Sequence, residues 1–466
     1  MTRRKRTILF FVFTLLFLIT SLVVVLYSQG YRFDLEEKKV TRSGAFYFKV
    51  IPKNVQIELD HRPKDKTDIF FGTSYIDNLF PKKYRIEIKK EGYQSWKKNL
   101  EIKEKQVTEA KNIILFPANP SFSVLSNNAA DFFFSPDEKK IIILDSQKEN
   151  WGLKLYDLKT NIKSNLLESG KLIKEKIEFA DIEFSQDSKK ILLKTKLKEE
   201  TKFFLIDLTK NPGTLQFLIP LDFLGKKIEK VAFPFEETQN SQGLFFSEDG
   251  KLNEVDLTKK KVLPTPLANV LTWAFYNNSL YFLEKDGYLN KTDLSLSVKE
   301  KINKIGFKIK TGSQYEIIFG VNSLFLKENE DLYLFNLESK IFEKFFENVK
   351  EIKISPDFRK LVYTSDSEIW ILFLEDQTSQ PQKLENERVF ITRFSEKINE
   401  VSWLNSNYLV FSVENKIKIA EIDDRDQINI IDLAEFKEPK ISFNESDKKL
   451  YLLSEGNIAR SESLIR

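Results

Sequence analysis

One uninterrupted apolar segment lies near the start of the chain, and short alternating runs fill most of the remaining sequence. Residues 7–27 contain no charge, and a helix of that length is about 30 Å long, enough to cross a bilayer core. Arg3, Arg4, Lys5 and Arg6 precede the segment, and the positive-inside rule places them in the cytoplasm. We therefore predict a cytoplasmic basic tail at 1–6, a transmembrane helix at 7–27 and a linker at 28–39. The remainder lies outside the cytoplasm, on a single-pass protein of the cell membrane.

Two other interpretations of the apolar segment are open. A cleaved signal peptide usually has an apolar region of about 7–15 residues that ends at a small-x-small site. Here the run is longer, and Ser28-Gln29-Gly30 is a poor cleavage site. The third interpretation is a buried helix of a soluble protein. The length of the run and its flanks favour a retained anchor.

Residues 40–118 alternate apolar and polar positions in short runs, which is typical of half-buried strands. Gly72, Pro81 and Gly92 mark chain reversals between the runs. The runs cover residues 45–50, 55–59, 84–88 and 112–115. No helix-period stretch interrupts them, so this segment is predicted to be a small β-sandwich.

The same segment carries, in order, Gly44, Pro52-Lys53-Asn54-Val55, Leu79-Phe80-Pro81-Lys82-Lys83-Tyr84, Lys90-Glu91-Gly92-Tyr93 and Trp96. This order resembles the PEGA domain, which has a Pro-x-Gly-Ala turn, a Leu-x-Pro-Gly-x-Tyr hairpin and a Lys-x-Gly-Tyr segment. Asn54-Val55 replaces Gly-Ala, a mild departure because Asn tolerates positive φ. Lys82-Lys83 occupies the usual glycine site. The resemblance implies a noncatalytic extracytoplasmic module of bacterial surface and envelope proteins.

Residues 120–466 contain an internal repeat. Its most regular part is a turn followed by an apolar run, and the turn recurs as Phe134-Ser135-Pro136-Asp137, Phe184-Ser185-Gln186-Asp187, Ile354-Ser355-Pro356-Asp357 and Phe443-Asn444-Glu445-Ser446. With the first strand of each hairpin as marker, repeats begin near Ile141, Ile191, Leu244, Leu280, Leu324, Leu361, Leu409 and Leu450. The spacing is about 44 residues, the length of a four-stranded propeller blade.

This pattern resembles WD40-like and TolB-like propeller repeats. Eight blades are favoured, and seven is the alternative. The last repeat has room for only three strands, so we predict that residues 121–125 pair into it and close the ring. The repeated Asp is predicted to be a turn device that accepts backbone N–H bonds, with the following lysines at the solvent edge. Further hairpin turns are predicted at Asp249-Gly250, Asp286-Gly287 and Glu455-Gly456.

Composition excludes several kinds of chemistry. The chain has 73 basic and 69 acidic residues, and the four basic residues beside the anchor account for the net charge of +4. The neutral remainder does not favour nucleic-acid binding. With no cysteine and a single histidine, thiolate nucleophiles and Cys-ligated zinc are excluded. His61 is interpreted as a turn residue, and Trp96, Trp151, Trp273, Trp370 and Trp403 as packing residues.

No catalytic motif, cofactor site or metal site is predicted, and the binding residues are left open. The fold class is therefore mainly β: a transmembrane helix, a PEGA-like sandwich at 40–118 and a propeller at 120–466. The function favoured by this architecture is noncatalytic binding or scaffolding in the cell envelope, with a protein or glycan partner. Two alternatives are an envelope polysaccharide hydrolase or lyase that uses carboxylates at the channel, and a purely structural envelope component.

Overall fold

The computed structural model describes residues 3–35, 38–146, 150–172, 175–211, 214, 217–225, 227–234, 243–263, 267–296 and 298–466. Within these ranges the chain forms one α-helix, a three-residue 3-10 helix (Ser169–Lys171) and 41 β-strands. It is therefore mainly β, as the alternating runs predict.

The helix, α1 (Arg3–Ser28), belongs to none of the hydrophobic clusters formed by the described residues, and its large apolar side chains are exposed. Its Thr and Ser hydroxyls bond back to carbonyls of the preceding turn, as Thr14 does to Phe10. α1 is long and apolar enough to cross a membrane, and its exposure contradicts the buried-helix interpretation. The helix begins at Arg3, so the basic residues of the predicted tail are themselves helical. Residues 1 and 2 lie outside the described ranges.

A short antiparallel ribbon follows α1 and consists of β1 (Tyr31–Asp34) and β2 (Lys39–Arg42). The segment predicted as a linker therefore contains a strand. The Arg32 guanidinium donates to the Tyr27 carbonyl of α1 and to the Asn78 side chain, and the Ser43 amide donates to Gly30. These bonds connect the end of α1 to the next folded unit.

Two sheets then enclose one hydrophobic core, and we call them the two-sheet unit. One sheet has the order β6-β3-β9 and the other β5-β4-β7-β8. β3 pairs with β9 in parallel and with β6 antiparallel. The strands are β3 (Gly44–Ile51), β4 (Gln56–Leu59), β5 (Arg62–Lys66), β6 (Thr73–Leu79), β7 (Lys83–Lys89), β8 (Trp96–Glu101) and β9 (Val107–Ile114).

Alternation decides which side chains form this core. Phe46, Phe48 and Val50 of β3 are at most 1% exposed, whereas Lys49 between them faces out. Asn54 has a φ of 56°, so it does adopt the positive φ expected of it. Asp60 and His61 also have positive φ and form the two-residue turn between β4 and β5, consistent with a turn role for His61.

The described residues from Phe122 onward form eight four-stranded antiparallel sheets, which we call the eight-sheet unit. In chain order, the first four are β11 (Ala129–Phe134) to β12 (Lys140–Ser146), β13 (Trp151–Asp157) and β14 (Ile162–Glu168); β15 (Glu178–Phe184), β16 (Lys190–Leu197), β17 (Glu200–Asp207) and β18 (Leu218–Pro220); β19 (Ile228–Ala232), β20 (Gly243–Glu248), β21 (Lys251–Asp256) and β22 (Lys261–Val262); β23 (Val270–Tyr276), β24 (Ser279–Glu284), β25 (Leu289–Asp293) and β26 (Lys299–Lys301).

The fifth to seventh sheets repeat this order, and the eighth takes its fourth strand from the start of the unit. They are β27 (Tyr315–Phe319), β28 (Leu324–Glu328), β29 (Asp331–Asn336) and β30 (Ile341–Phe346); β31 (Glu351–Ile354), β32 (Lys360–Thr364), β33 (Glu368–Phe373) and β34 (Arg388–Arg393); β35 (Ile398–Asn405), β36 (Tyr408–Val413), β37 (Lys416–Glu421) and β38 (Ile430–Glu435); β39 (Lys440–Asn444), β40 (Lys449–Ser454), β41 (Asn457–Ser461) and β10 (Phe122–Ser126).

The predicted repeat markers all fall on the second strand of a sheet, which is the first strand of its central hairpin. β10 pairs antiparallel with β41, so the prediction that residues 121–125 complete the last repeat is confirmed. Asp249-Gly250 and Glu455-Gly456 form two-residue turns with positive φ, and Gly287 supplies the positive φ of the third predicted turn.

The sheets pack against one another in order around a ring. Seven hydrophobic clusters join each sheet to the next. An eighth cluster joins Tyr451 and Ile458 of the last sheet to Phe132 and Ile141 of the first. Tyr451 also meets Phe134 edge-to-face at 5.0 Å between ring centroids. The eighth sheet therefore packs against both the seventh and the first.

The repeated Asp is a turn device in the first, second and sixth sheets. The Ser135 hydroxyl donates to Asp137 Oδ1 at 2.6 Å, and the same atom accepts the Lys139 amide. Equivalent bonds occur at Asp187 and Asp357. The lysines that follow the repeated Asp are predicted to lie at the solvent edge, and this is true of Lys139 and Lys189 but not of Lys360. Lys360 is 3% exposed and pairs with Asp357, because it begins a central strand of its sheet.

Candidate functional site

The first strands of the sheets form the inner surface of the ring. β23 lies against β27, and β35 lies against both β31 and β39, so neighbouring sheets approach each other through these strands. In five of the eight first strands the pairing shifts by one residue immediately before a polar side chain: Asp131, Asp181, Lys230, Thr272 and Glu400. A bulge re-aims the next side chain along the strand. A polar residue therefore follows a bulge in five of the eight first strands.

Many of these groups connect adjacent sheets. Glu400 accepts the Ile441 amide at 2.7 Å, and Glu351 accepts the Val401 amide at 3.2 Å. Lys440 pairs with Asp131 across the junction of the eighth and first sheets. Burial raises the pKa of Glu400, and its bond to Ile441 opposes the rise. Carboxylates used in this way stabilise the ring and are poorly placed to act as general acids.

Glu183 on β15 differs from these carboxylates. Solvent reaches its side chain, yet desolvation by the surrounding protein raises its pKa to about 7, against an opposing effect of Lys230. Desolvation disfavours the charged carboxylate, and this is why the pKa of Glu183 rises. Lys230 itself donates to the Trp273 carbonyl at 2.7 Å, and desolvation lowers its pKa.

Replacing Glu183 by Gln is expected to remove one step from the pH dependence of stability. Because the folded pKa lies above the ordinary value of 4.5, the folded state holds this proton more tightly than the unfolded chain does. The native protein should therefore lose stability as pH rises from about 4.5 to about 7 and then level off, and E183Q should lack that loss. Urea unfolding at several pH values measures the difference. E338Q, on an exposed turn, should keep the native profile.

A cavity of about 1100 Å³ opens where the first strands of the sixth, seventh and eighth sheets begin. It is lined by three lysines and by five acidic residues: Glu351, Asp366, Glu400, Glu414 and Glu438. We call this end of the eight-sheet unit the cavity face. Its volume exceeds that of a pocket for a small ligand, and its lining is polar, so it suits an extended polar partner.

The two-sheet unit docks at the opposite end of the same sheets. Tyr408 and Glu421 are cross-strand partners at one end of the β36–β37 hairpin, and Glu414 and Asn415 form the turn at the other end. The two-sheet unit contacts the first end, and the turn lines the cavity. Five residue steps along a strand separate the two ends by about 17 Å.

This docking interface is built around a buried charge network. The Lys98 side chain has no exposed surface, and its Nζ lies 2.5 Å from Glu421 Oε1 and 3.6 Å from Asp423 Oδ1. The Trp96 indole N–H donates to Glu421 Oε2 at 2.8 Å. Burial alone would raise the pKa of Asp423, but hydrogen bonds from Arg425 and the charge of Lys98 hold it below its usual range. Ile114 and Phe116 join the hydrophobic cluster of the seventh and eighth sheets. Buried charges, hydrogen bonds and apolar packing therefore all connect the two units.

The tryptophans selected from the sequence have different positions. Trp273 is buried at 1% exposure between the third and fourth sheets, and Trp403 donates to the Lys353 carbonyl of the preceding sheet. Trp151 donates to the carbonyl of Ile177, the residue before the first strand of the next sheet, and Trp370 lies among Phe346, Tyr363 and Phe390. These contacts agree with the packing role predicted for the four residues. Trp96 packs too, but it also binds the other unit.

Sequence reasoning did not find the cavity residues or the docking network. Both combine side chains from elements that are far apart in the chain, and no local pattern connects them. The signal in the sequence was the polar residue that recurs in five of the eight first strands. Among the residues that the structure describes, no cluster of His, Cys, Asp or Glu could hold a metal ion.

Comparisons with known proteins give fold-level similarity only. No family model matches the sequence, and no curated protein matches it. The solved structure of the Dos1 propeller is 11% identical with a TM-score of 0.47, covering 75% of this chain and 95% of its own. The computationally designed protein Ika8 is 14% identical with a TM-score of 0.45, covering 72% and 96%. The β-propeller domain of Cps50 (Swd1) from Myceliophteria thermophila is 10% identical with a TM-score of 0.40, covering 72% and 97%.

Proposed function

We propose that this protein is a noncatalytic, membrane-anchored binding or scaffolding protein of the cell envelope. α1 is its anchor, with the N-terminus in the cytoplasm and the folded units outside. Residues 40–118 form a PEGA-like module, and residues 120–466 form a single propeller of eight blades. The cavity face binds an extended envelope partner, a protein segment or a glycan.

The eight-blade interpretation is supported by the topology of the sheets. Each has four antiparallel strands in chain order, and the last is completed by β10 from the start of the unit. Pairing β10 with β41 joins the two ends of the unit, which is how a propeller avoids an open ring.

Membrane anchoring is supported by the surface of α1. Its large apolar side chains from Ile8 to Tyr27 are 38–69% exposed, and water would strongly disfavour such a surface. A cleaved signal sequence would have the same composition. The length of the run and the four adjacent basic residues favour retention and the proposed orientation.

The cavity itself carries the binding proposal. It lies about 17 Å from the docking end, measured along β36, so the two-sheet unit does not cover it. Glu414 and Glu438 are exposed on turns at its rim, and their positive φ places them outside the strands. Acidic side chains outnumber basic ones in the lining, so the expected partner presents amines, guanidinium groups or hydroxyls at the contact.

Photo-crosslinking in native membranes tests this proposal. A photoreactive residue at Asn399 or Asn415, both in the cavity lining, should capture a specific protein or glycan. The same residue at Leu337, on an exposed turn at the docking end, is the matched control and should not. The E414K/E438K pair should weaken capture at least tenfold, and E338K should leave it unchanged. Capture that is equal at both ends, or absent, contradicts the proposal and favours a purely structural role.

Glu183 supports a second candidate, an envelope polysaccharide hydrolase or lyase. A general acid needs a carboxyl that stays protonated near neutral pH, and a pKa of about 7 meets that need. If this candidate is right, E183Q should abolish polysaccharide cleavage while leaving photo-crosslinking at Asn415 unchanged. If the protein is noncatalytic, native protein and E183Q should be equally inactive on envelope glycans.

A further inference from the structure

The loop between β5 and β6 exposes three consecutive large apolar side chains. Ile69, Phe70 and Phe71 are 69%, 77% and 75% exposed. Isolated exposed apolar residues are common on proteins, but a contiguous group on a protruding loop marks an interaction site. The ring and its cavity do not explain this loop, because it belongs to the two-sheet unit.

The loop is held in one conformation by bonds to its own backbone. Asp68 accepts the amides of Phe70 and Phe71 at 2.8 and 2.5 Å, and its other oxygen accepts both donors of Thr73. The Asp68 amide in turn donates to the Thr73 carbonyl. Gly72 has a φ of +69°, and a Cβ there would lie 2.5 Å from the Val50 carbonyl oxygen. The backbone conformation that exposes the apolar side chains is therefore fixed by hydrogen bonds to Asp68 and by the positive φ of Gly72.

A second exposed apolar group lies at the other end of β6. Phe33, Leu35 and Val40, on and beside the ribbon after α1, are 55%, 80% and 63% exposed. The Arg32–Asn78 bond attaches this ribbon to the end of β6. β6 is an edge strand of its sheet, and Tyr75 in its middle is 58% exposed. Apolar side chains thus follow one edge of the unit, over about 20 Å of strand, from the end of α1 to the loop.

The flanking charges indicate what covers this edge. Lys53, Lys64 and Lys66 beside the loop are exposed. Of the acids on this edge, Asp65 and Asp68 are engaged with Ser74 and Thr73, and Asp77, near the other end of β6, is exposed. Aromatic tips with lysines behind them match the membrane interface, where rings enter the headgroup region and amines bind lipid phosphates. The edge is also continuous with the apolar surface of α1.

We propose that the two-sheet unit lies with its β6 edge on the membrane that α1 enters, with Ile69, Phe70 and Phe71 inserted among the lipid headgroups. The membrane then contacts the protein at two places, at α1 and about 20 Å away at the loop. Two contacts prevent the extracytoplasmic part from rotating freely about the end of α1. This inference rests on the proposed anchoring.

Spin labelling tests it on the full chain in lipid nanodiscs. The protein has no cysteine, so Phe70→Cys and the control Ile305→Cys each give one labelling site. Ile305 is 69% exposed in the connection between β26 and β27 of the eight-sheet unit. At position 70, relaxation by oxygen should exceed relaxation by a water-soluble nickel chelate. At position 305 the order should be reversed.

Three results would contradict the proposal in distinguishable ways. A water-like label at position 70 in disc-bound protein refutes insertion of the loop and leaves the anchoring intact. Failure of the whole chain to remain with the discs contradicts the anchoring and this inference together. Spin–spin broadening at position 70 in detergent shows that a second copy covers the loop. An unchanged thermal unfolding curve for Phe70→Cys confirms that the label reports on folded protein. The triple variant I69S/F70S/F71S should give the same unfolding curve. In that variant, a label at Tyr75→Cys should lose its protection from the nickel chelate.

Discussion

Replacing Lys98 by Met is expected to lower the free energy of unfolding by about 3 kcal/mol, because it leaves the Glu421 carboxylate buried without its charge partner. Glu421 is 4% exposed. It would keep hydrogen bonds from Trp96 and Asn429, which places the loss at the lower end of the range for a broken buried pair. Urea unfolding measures the loss. Residues 114–122 connect the two units, and a protease should cut this connection faster in K98M than in the native protein.

The neighbouring residue supplies the control. Lys97 pairs with Glu87 at 3.3 Å, but half of its side-chain surface is exposed, so K97M should change stability by less than about 0.5 kcal/mol. K98M/E421Q should recover part of the loss, since the double variant removes both buried charges. Equal effects of K97M and K98M would contradict a buried network at the docking interface.

Replacing Tyr451 by Ala is expected to cost about 4 kcal/mol, the typical effect of removing a buried aromatic side chain. Tyr451 is fully buried at the junction of the eighth and first sheets, where it packs against Phe134. The cavity left by this change opens the junction at which the two ends of the unit meet. Hydrogen exchange should therefore accelerate most in β10 and β41.

The conservative variant separates packing from hydrogen bonding. The Tyr451 hydroxyl donates to Asp447 at 2.7 Å, and Y451F removes only this bond, at a cost of about 1 kcal/mol. F358A, at a position 61% exposed, should change stability by less than about 0.5 kcal/mol. A loss for Y451A no larger than that for Y451F would show that the first and eighth sheets are not held together by this packing.

The repeat was predictable because each sheet buries its central hairpin. A buried second strand must be apolar, and Ile141, Ile191 and Leu244 mark such strands at a regular spacing. The closing role of residues 121–125 was predictable because the last repeat has room for only three strands. By contrast, β5 was missed because all five of its residues are exposed, so it shows no alternation. β1 lies in the predicted linker for a related reason: it has only four residues, none of them fully buried, which is too little to leave a pattern.

The site was less predictable than the fold. Glu351, Glu400 and Lys440 stand on three different sheets, about 40–50 positions apart, and only the packing of those sheets brings them to one cavity. Likewise, nothing in the sequence distinguishes Trp96 and Lys98 from other strand residues. Their role depends on the contact of β8 with Glu421 of β37. Side-chain partners across such distances are decided by how the units dock, and sequence periodicity does not encode that.

By itself, the sequence determined the apolar helix, the strand-rich remainder, a repeat of about 44 residues with eight units favoured over seven, and the need for a closing strand. These arise from local rules, since hydrophobic periodicity and turn residues act over a few positions. Only the tertiary structure decided that the cavity and the two-sheet unit occupy opposite ends of the same sheets, that a buried lysine joins the units, and that Phe70 stands exposed on a shaped loop. Those features depend on which surfaces meet, and surfaces exist only after the chain has folded.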